Sequence, residues 1–375
     1  MPSGTFSSVI FVNESYAENQ DSDMNMVIKR SMAMCAAVGC GVAHAQSSVT
    51  LYGLMDAGIT YSNNATSSTG HGALVQFTSG SSQGDRWGLT GKEDLGGGLK
   101  AIFTLESGFQ LSNGALAQSG LLFNRAAFVG LDGRFGTLTF GRQYDFIGDI
   151  FPAYSIAGNT AAGILGWGIP AYAARGYTLD NRLWGDNVNN SVKYLSPAIS
   201  GFSVGAMYGF GNVAGSLGTN SSMNFLLNYS RGGLAASLSY FKQHNATSSA
   251  NLTEYAGGAT YSVGDAQIFG VVTDVQLSSG TQARALTYDG GMTYFVRPDI
   301  SLGAGFQFQQ RNNGVGSANQ VTIGADYFLS KRTDVYFVGA LAHDHAQGAQ
   351  IEAGLGSPSS TSFQTAARIG IRHKF

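Results

Sequence analysis

Stretch after stretch of this chain alternates apolar with small or polar side chains at a period of two. In ISLGAGFQFQQR, Ile300, Leu302, Ala304, Phe306 and Phe308 share one parity, while Ser301, Gly303, Gly305, Gln307 and Gln309 share the other. The segments QVTIGADYFL (320–329), MNFLLNYS (223–230, with Leu226 intruding on the polar side) and GFSVGAMYGF (201–210) repeat the pattern. This is the periodicity of a strand whose two faces meet different surroundings. Each segment runs about 8 to 12 residues, the length a tilted strand needs to cross a bilayer. After residue 45 no apolar run approaches the roughly 20 residues a membrane helix requires. Two stretches, 266–274 and 335–341, are less clean, with mixed residues on both faces.

The last segment states the alternation most sharply. In RIGIRHKF, Ile369, Ile371, His373 and Phe375 fall on one parity and Arg368, Gly370, Arg372 and Lys374 on the other. A soluble sandwich shows the same alternation, but its polar faces would carry more charge than the 12% Asp, Glu, Lys and Arg found here. In a membrane barrel the isoleucines and Phe375 face lipid and the cations face water. At the lipid midplane each cation would cost roughly 2–4 kcal/mol.

The connections alternate in length. Short turns stand at 93–98, 132–136, 196–201, 231–233, 263–265, 297–299 and 330–334. Longer polar stretches separate them at 62–82, 110–122, 143–187, 212–222, 245–252, 277–285, 312–319 and 344–361. Seven short turns and eight long loops divide the chain into sixteen strands, and boundary shifts of a few residues would give fourteen or eighteen. An even number of strands, with short turns at one end and long loops at the other, describes an all-β transmembrane antiparallel β-barrel. Closure requires RIGIRHKF to pair with the first strand, 47–61, so that every backbone polar group in hydrocarbon finds a partner.

The N-terminus reads as an address. Residues 24–45 hold the basic pair Lys29 and Arg30, a run of small residues and Met, and the sequence Ala43-His44-Ala45. This fits a signal peptide cleaved between Ala45 and Gln46. Residues 1–23 do not fit an export signal and read as an extension ahead of the true start. A buried helix, or a lipoprotein signal with Cys40 as the lipidated residue, is the alternative. The barrel then occupies 46–375. Removing 1–45 takes four of the 23 acidic and two of the 21 basic residues, leaving nineteen of each. A neutral chain argues against nucleic acid as a partner. Cys35 and Cys40 both leave with the signal, so no cysteine nucleophile, disulfide or cysteine-ligated metal remains.

The segments SVTLYGLMDAGITY, DRWGLTGKEDLGGGLKAIFTLESGF (85–109) and FNRAAFVGLDGRFGTLTFGRQYD (123–145), with the terminal Phe375, resemble the Gram-negative general porins of the beta-proteobacterial trimeric type. The resemblance runs the length of the mature chain and is strongest in its first third. It implies a 16-stranded barrel that forms a homotrimer in the lipid and lipopolysaccharide of the outer membrane. It also implies a third loop folded into the lumen, a terminal aromatic residue read by the barrel-assembly machinery, and no cofactor.

Under that resemblance the 143–187 excursion is the constriction loop. It contains Asp145, Asp149, Asp180 and Asp186, with Arg175 and Arg182. Arg86, Lys92, Lys100, Arg125, Lys193, Arg368 and Arg372 lie on polar strand faces, and Glu106 reads as an interior polar position, as does Glu93. Arg142 shares the parity of Leu138 and Phe140, so it points inward only if the strand bends or ends. Opposed charges across a narrow aperture would orient polar solutes while the opening sets a size limit.

Enzyme chemistry is not legible. There is no phosphate-binding G-x-x-x-x-G-K, and the two G-x-S-x-G spacings, at 80–84 and 201–205, fall in a polar stretch and at the start of an alternating strand segment rather than at a strand-to-helix elbow. His343, Asp344 and His345 could hold a metal, yet a solvated loop edge explains them. The expectation is a passive channel for ions and small hydrophilic solutes. A substrate-specific channel, an outer-membrane enzyme or a plugged structural barrel are the rivals.

Overall fold

A computed structural model describes residues 48–158, 180–247, 249–278, 282–345, 348–351 and 359–375. The expected signal peptide, its expected cleavage site at Ala45 and Gln46, and Arg175 lie outside the described residues.

The strands are β1 (Ser48–Ser67), β2 (Gly70–Ser79), β3 (Arg86–Gly96), β4 (Leu99–Gly108), β5 (Ala126–Gly133), β6 (Gly136–Tyr144), β7 (Asn187–Leu195), β8 (Phe202–Gly209) and β9 (Ser222–Arg231). They continue as β10 (Leu234–His244), β11 (Asn251–Val263), β12 (Ala266–Ser278), β13 (Ala283–Arg297), β14 (Ile300–Arg311), β15 (Ser317–Phe328), β16 (Thr333–Asp344) and β17 (Phe363–Lys374). One short helix, α1 (Phe146–Ile150), follows β6 and runs on into 3₁₀ turns.

The described strand pairings are all antiparallel and join chain neighbours, except that β1 also pairs with β3 and that β17 returns to β1 with Leu54 opposite Lys374 and Ser62 opposite Ala366. The sheet is therefore closed. Its seventeen strands make sixteen staves, because β2 and β3 are two halves of one. β2 bonds to β1 at 57–67 and β3 bonds to β1 at 48–54, and β3 alone goes on to β4.

Closure satisfies the backbone, and side-chain parity decides the faces. Ile369 is 68% exposed on the outer face, whereas Arg368 beside it is 2% exposed and points inward. The same division holds for Leu238 against Ser237 and for Phe306 against Gln307.

The sequence expects a loop at 62–82, and here the structure differs. β1 and β2 continue as a hairpin beyond that point, with a bulge between Ser62 and Ala65 and a two-residue turn after Ser67. The segment is polar and still forms strands because a strand standing in water needs no apolar face. The irregular part is 80–85, where six residues face only Met55 and Asp56, since Ser79 pairs with Ala57 and Arg86 with Leu54. The excess folds inward. Ser82 N and Gln83 N donate to Asp56 Oδ2, and Asp56 N donates to Asp85 Oδ1.

The described part of 143–187 also lies inside the cylinder. From β6 it crosses the inner faces of β9 to β14. Phe146, Ile147, Phe151 and Tyr154 bury against the inward residues Met207, Leu226, Phe241, Ala256 and Val271. A second insertion follows β16: Ala349 and Ile351 pack on the inward Tyr336, Val338 and Ala366, and Ile351 N donates to Gln364 Oε1 at 2.8 Å.

Candidate pore constriction

Three insertions cover most of the inner wall. Residues 80–85 shield β17 and β1, residues 348–351 shield β15 to β17, and residues 146–158 shield β9 to β14. Among the described residues, none of these insertions crosses the inner faces of β3 to β6, which carry Arg86, Lys92, Lys100 and Glu106, with Arg125 just ahead of β5 and Lys193 of β7 at the edge, beside Phe146.

Glu106 organises this wall. Arg125 Nε donates to its Oε1 at 2.6 Å and Tyr52 Oη donates to its Oε2 at 2.9 Å. Arg86 Nε stands 3.7 Å from the same carboxylate. One acid thus serves two guanidinium groups, and both retain partial exposure, 15% for Arg86 and 23% for Arg125. Arg125 also lies over the Tyr144 ring, 5.4 Å from its centroid. Lys193 reaches the start of the loop, where it donates to Tyr144 O at 2.8 Å and pairs with Asp149. Lys92 and Lys100 are exposed nearer the short-turn end, where Lys100 stands opposite Asp94 and Asp132 in the strand register.

Other expected lining residues anchor the insertions instead of facing the aperture. Asp145 caps α1 by accepting from Gly148 N at 2.7 Å. Arg182 bonds to the buried Glu254 on β11 and lies 3.0 Å from Asp186 and 3.5 Å from Asp145. Its guanidinium sits over the Phe241 ring at 4.5 Å, and its backbone takes φ 45°, held by Asp180 Oδ1 accepting from its N–H. Burial pushes Asp145 and Asp180 up to about 6, against the pull of Arg182. The group is a buried clasp between loop and wall.

Arg368 and Arg372 do point inward, yet they too are covered. Arg368 contacts Asp56, Tyr336 and Ser81, and Arg372 makes two bonds to Asp334 and one to Ser82 Oγ. Arg142 keeps the outward parity of Leu138 and Phe140. Gln143 keeps the inward parity of Thr139, the extra residue of the bulge lies on β7, and Arg142 bonds to Asn124 O, Asn187 O and Asn189 Oδ1. Glu93 pairs with Ala101 on the outward parity, so only Glu106 of the two glutamates is interior. Sequence reasoning missed Tyr52, Asp56, Tyr336 and Glu254. A lone acid on an otherwise apolar strand parity, as in Leu252-Glu254-Ala256, was the available signal for the last.

The comparisons with known proteins agree with this geometry. Residues 31–347 match the family model described as Gram-negative porin. Outer membrane porin protein 32 of Delftia acidovorans is 31% identical over 92% of this chain and 99% of its own length. Major outer membrane protein P.IB of Neisseria meningitidis serogroup B is 30% identical, covering 93% and 100%. Among solved structures, the anion-selective porin from Comamonas acidovorans superposes with a TM-score of 0.75 at 26% identity, covering 88% of this chain and all of that one.

Proposed function

The chain belongs to the Gram-negative porin family and forms a passive, non-enzymatic channel through the outer membrane, and from that premise we propose that its pore passes small hydrophilic solutes with a preference for anions. The observation that carries this reading is the open wall, where Arg86, Arg125, Lys92 and Lys100 keep contact with water while two hydrogen-bond donors and a second guanidinium at 3.7 Å occupy Glu106. Most of the inward acids lie in covered clusters, where they neutralise buried cations and add little field to the lumen. The anion selectivity of the Comamonas porin supports the same direction. Reversal potential across a planar bilayer in a potassium chloride gradient tests the proposal. A potential of cation-selective sign overturns it.

The assembly is a homotrimer joined through β16, β17 and β1 to β6. Outward tyrosines support this face. Tyr208, Tyr240, Tyr255 and Tyr288 ring the loop end of β8 to β13, and Tyr194, Tyr229, Tyr261, Tyr294 and Tyr327 ring the short-turn end of β7 to β15. Such belts mark headgroup contact. Across β16, β17 and β1 to β6 the described outward faces hold only Tyr61. Instead, Phe103, Leu105, Ala127, Val129 and Phe140 line an apolar groove that a second copy fills. Lipid and lipopolysaccharide then meet the tyrosine side. Phe375 serves as the mark read by the assembly machinery; its ring lies on Gly53, and its backbone exchanges two hydrogen bonds with that glycine.

A further inference from the structure

Three glycines on the inner wall lie directly beneath the loop. A Cβ on Gly205 of β8 would stand 2.4 Å from Phe146 Cζ. One on Gly258 of β11 would stand 2.5 Å from Tyr154 Cδ2 and 2.9 Å from Tyr154 Cβ, and one on Gly305 of β14 would stand 2.8 Å from Ile156 Cβ. These clashes differ in kind. Phe146 meets the wall with its ring tip, which a rotation partly relieves. Tyr154 and Ile156 meet it with Cβ, which is fixed to the backbone, so relief requires the loop itself to move. The wall is closed behind, and the only direction left is into the lumen. To regain ordinary contact at 3.4 Å, the Tyr154 ring would retreat by nearly an ångström.

The seats are specific. Tyr154 Oη and Ser237 Oγ are 2.7 Å apart, and Ser237 Oγ donates to Asn228 Oδ1 at 2.8 Å. Both Tyr154 and Ile156 are fully enclosed, at 3% and 0% exposure. By contrast, Gly270 of the neighbouring β12 lies on the outward parity, and a Cβ there would meet only Asp289 O, at 3.6 Å.

We infer that Gly258 and Gly305 are determinants of solute size: their missing side chains let the constriction loop lie back against the wall, and that recess keeps the aperture wide. The inference rests on the loop narrowing a conducting pore. Its test compares single-channel conductance and the exclusion limit for polyethylene glycols in Gly258→Ala, Gly305→Ala and the control Gly270→Ala. The first two should lose tens of per cent of conductance and exclude smaller polymers, because conductance follows the open cross-section, while Gly270→Ala matches wild type. Tyr154→Gly removes both the ring and the Cβ that meet this seat, so Tyr154→Gly/Gly258→Ala should equal Tyr154→Gly alone. That non-additivity separates seating from general weakening of the barrel. If Gly258→Ala does not fold, the two Tyr154 variants still decide: near-equality supports the inference, and a further fall in conductance overturns it. Unchanged conductance in folded Gly258→Ala and Gly305→Ala, beside a conducting wild type, overturns this inference alone. A wild type without current takes the pore reading down with it.

Discussion

Arg368 Nη2 lies 3.3 Å from Asp56 Oδ1, across the seam where the last strand meets the first. The pair is almost fully buried, and Tyr336 Oη donates to the same oxygen at 2.6 Å. Two ends of the chain, separated by 312 residues, are thus held by a charge contact as well as by the ladder.

Arg368→Met should therefore weaken the closed barrel. Losing one member of a buried pair leaves the other charge without compensation, at a cost of about 3–5 kcal/mol. Unfolding by guanidinium chloride in detergent, followed by tyrosine and tryptophan fluorescence, should show an earlier midpoint than wild type. An unchanged midpoint would mean that the backbone ladder alone closes the seam.

Charge changes on the open wall should move selectivity without moving stability. Glu106→Gln removes the one acid held by Arg125, Arg86 and Tyr52, and reversal potential should become more anion-selective. Arg125→Glu should shift it the opposite way. Both shifts should shrink as salt rises and screening sets in.

The clasp at Arg182 should govern the loop rather than the barrel. Arg182→Met leaves Asp145, Asp186 and Glu254 buried without their shared cation, a strain the loop can relieve by leaving the wall. Planar-bilayer recordings should show more frequent partial closures, while the circular dichroism of the strands stays that of wild type. Quiet, wild-type current would assign the clasp no part in holding the loop.

The two outward faces should answer differently to the same insult. Val129→Arg, on the tyrosine-poor side, should dissociate the trimer on native electrophoresis and leave folded monomers. Leu238→Arg, on the tyrosine-rich side, should leave association intact and oppose membrane insertion by roughly 2–4 kcal/mol at the midplane. Intact trimers in Val129→Arg would place the interface elsewhere.

The staves were legible because lipid and lumen impose opposite demands on alternate residues, as Ile369 and Arg368 illustrate. The two stretches with mixed faces have a common physical cause. Phe269 and Val271 on β12, and Tyr336 and Val338 on β16, point inward beneath insertions, so the inner wall there is as apolar as the outer. The open wall was legible too: Arg86, Lys92, Lys100 and Lys193 lie inward on the parities read from the sequence. What one strand at a time could not reveal was cover. Nothing local to Arg368, Arg372 or Arg182 says that another segment will fold over it, because those partners lie tens to hundreds of residues away.

The β1–β2 hairpin has an outcome for the cell as well as for the fold. β1 is 20 residues long, about 66 Å of extended chain at roughly 3.3 Å per residue, whereas crossing the bilayer takes about 9–11 residues. Its far end, with Asn63, Asn64 and the Ser67 turn, must stand clear of the membrane as a stiff two-ply fin. Whatever approaches the bacterium from outside meets that fin before it meets the mouth of the channel.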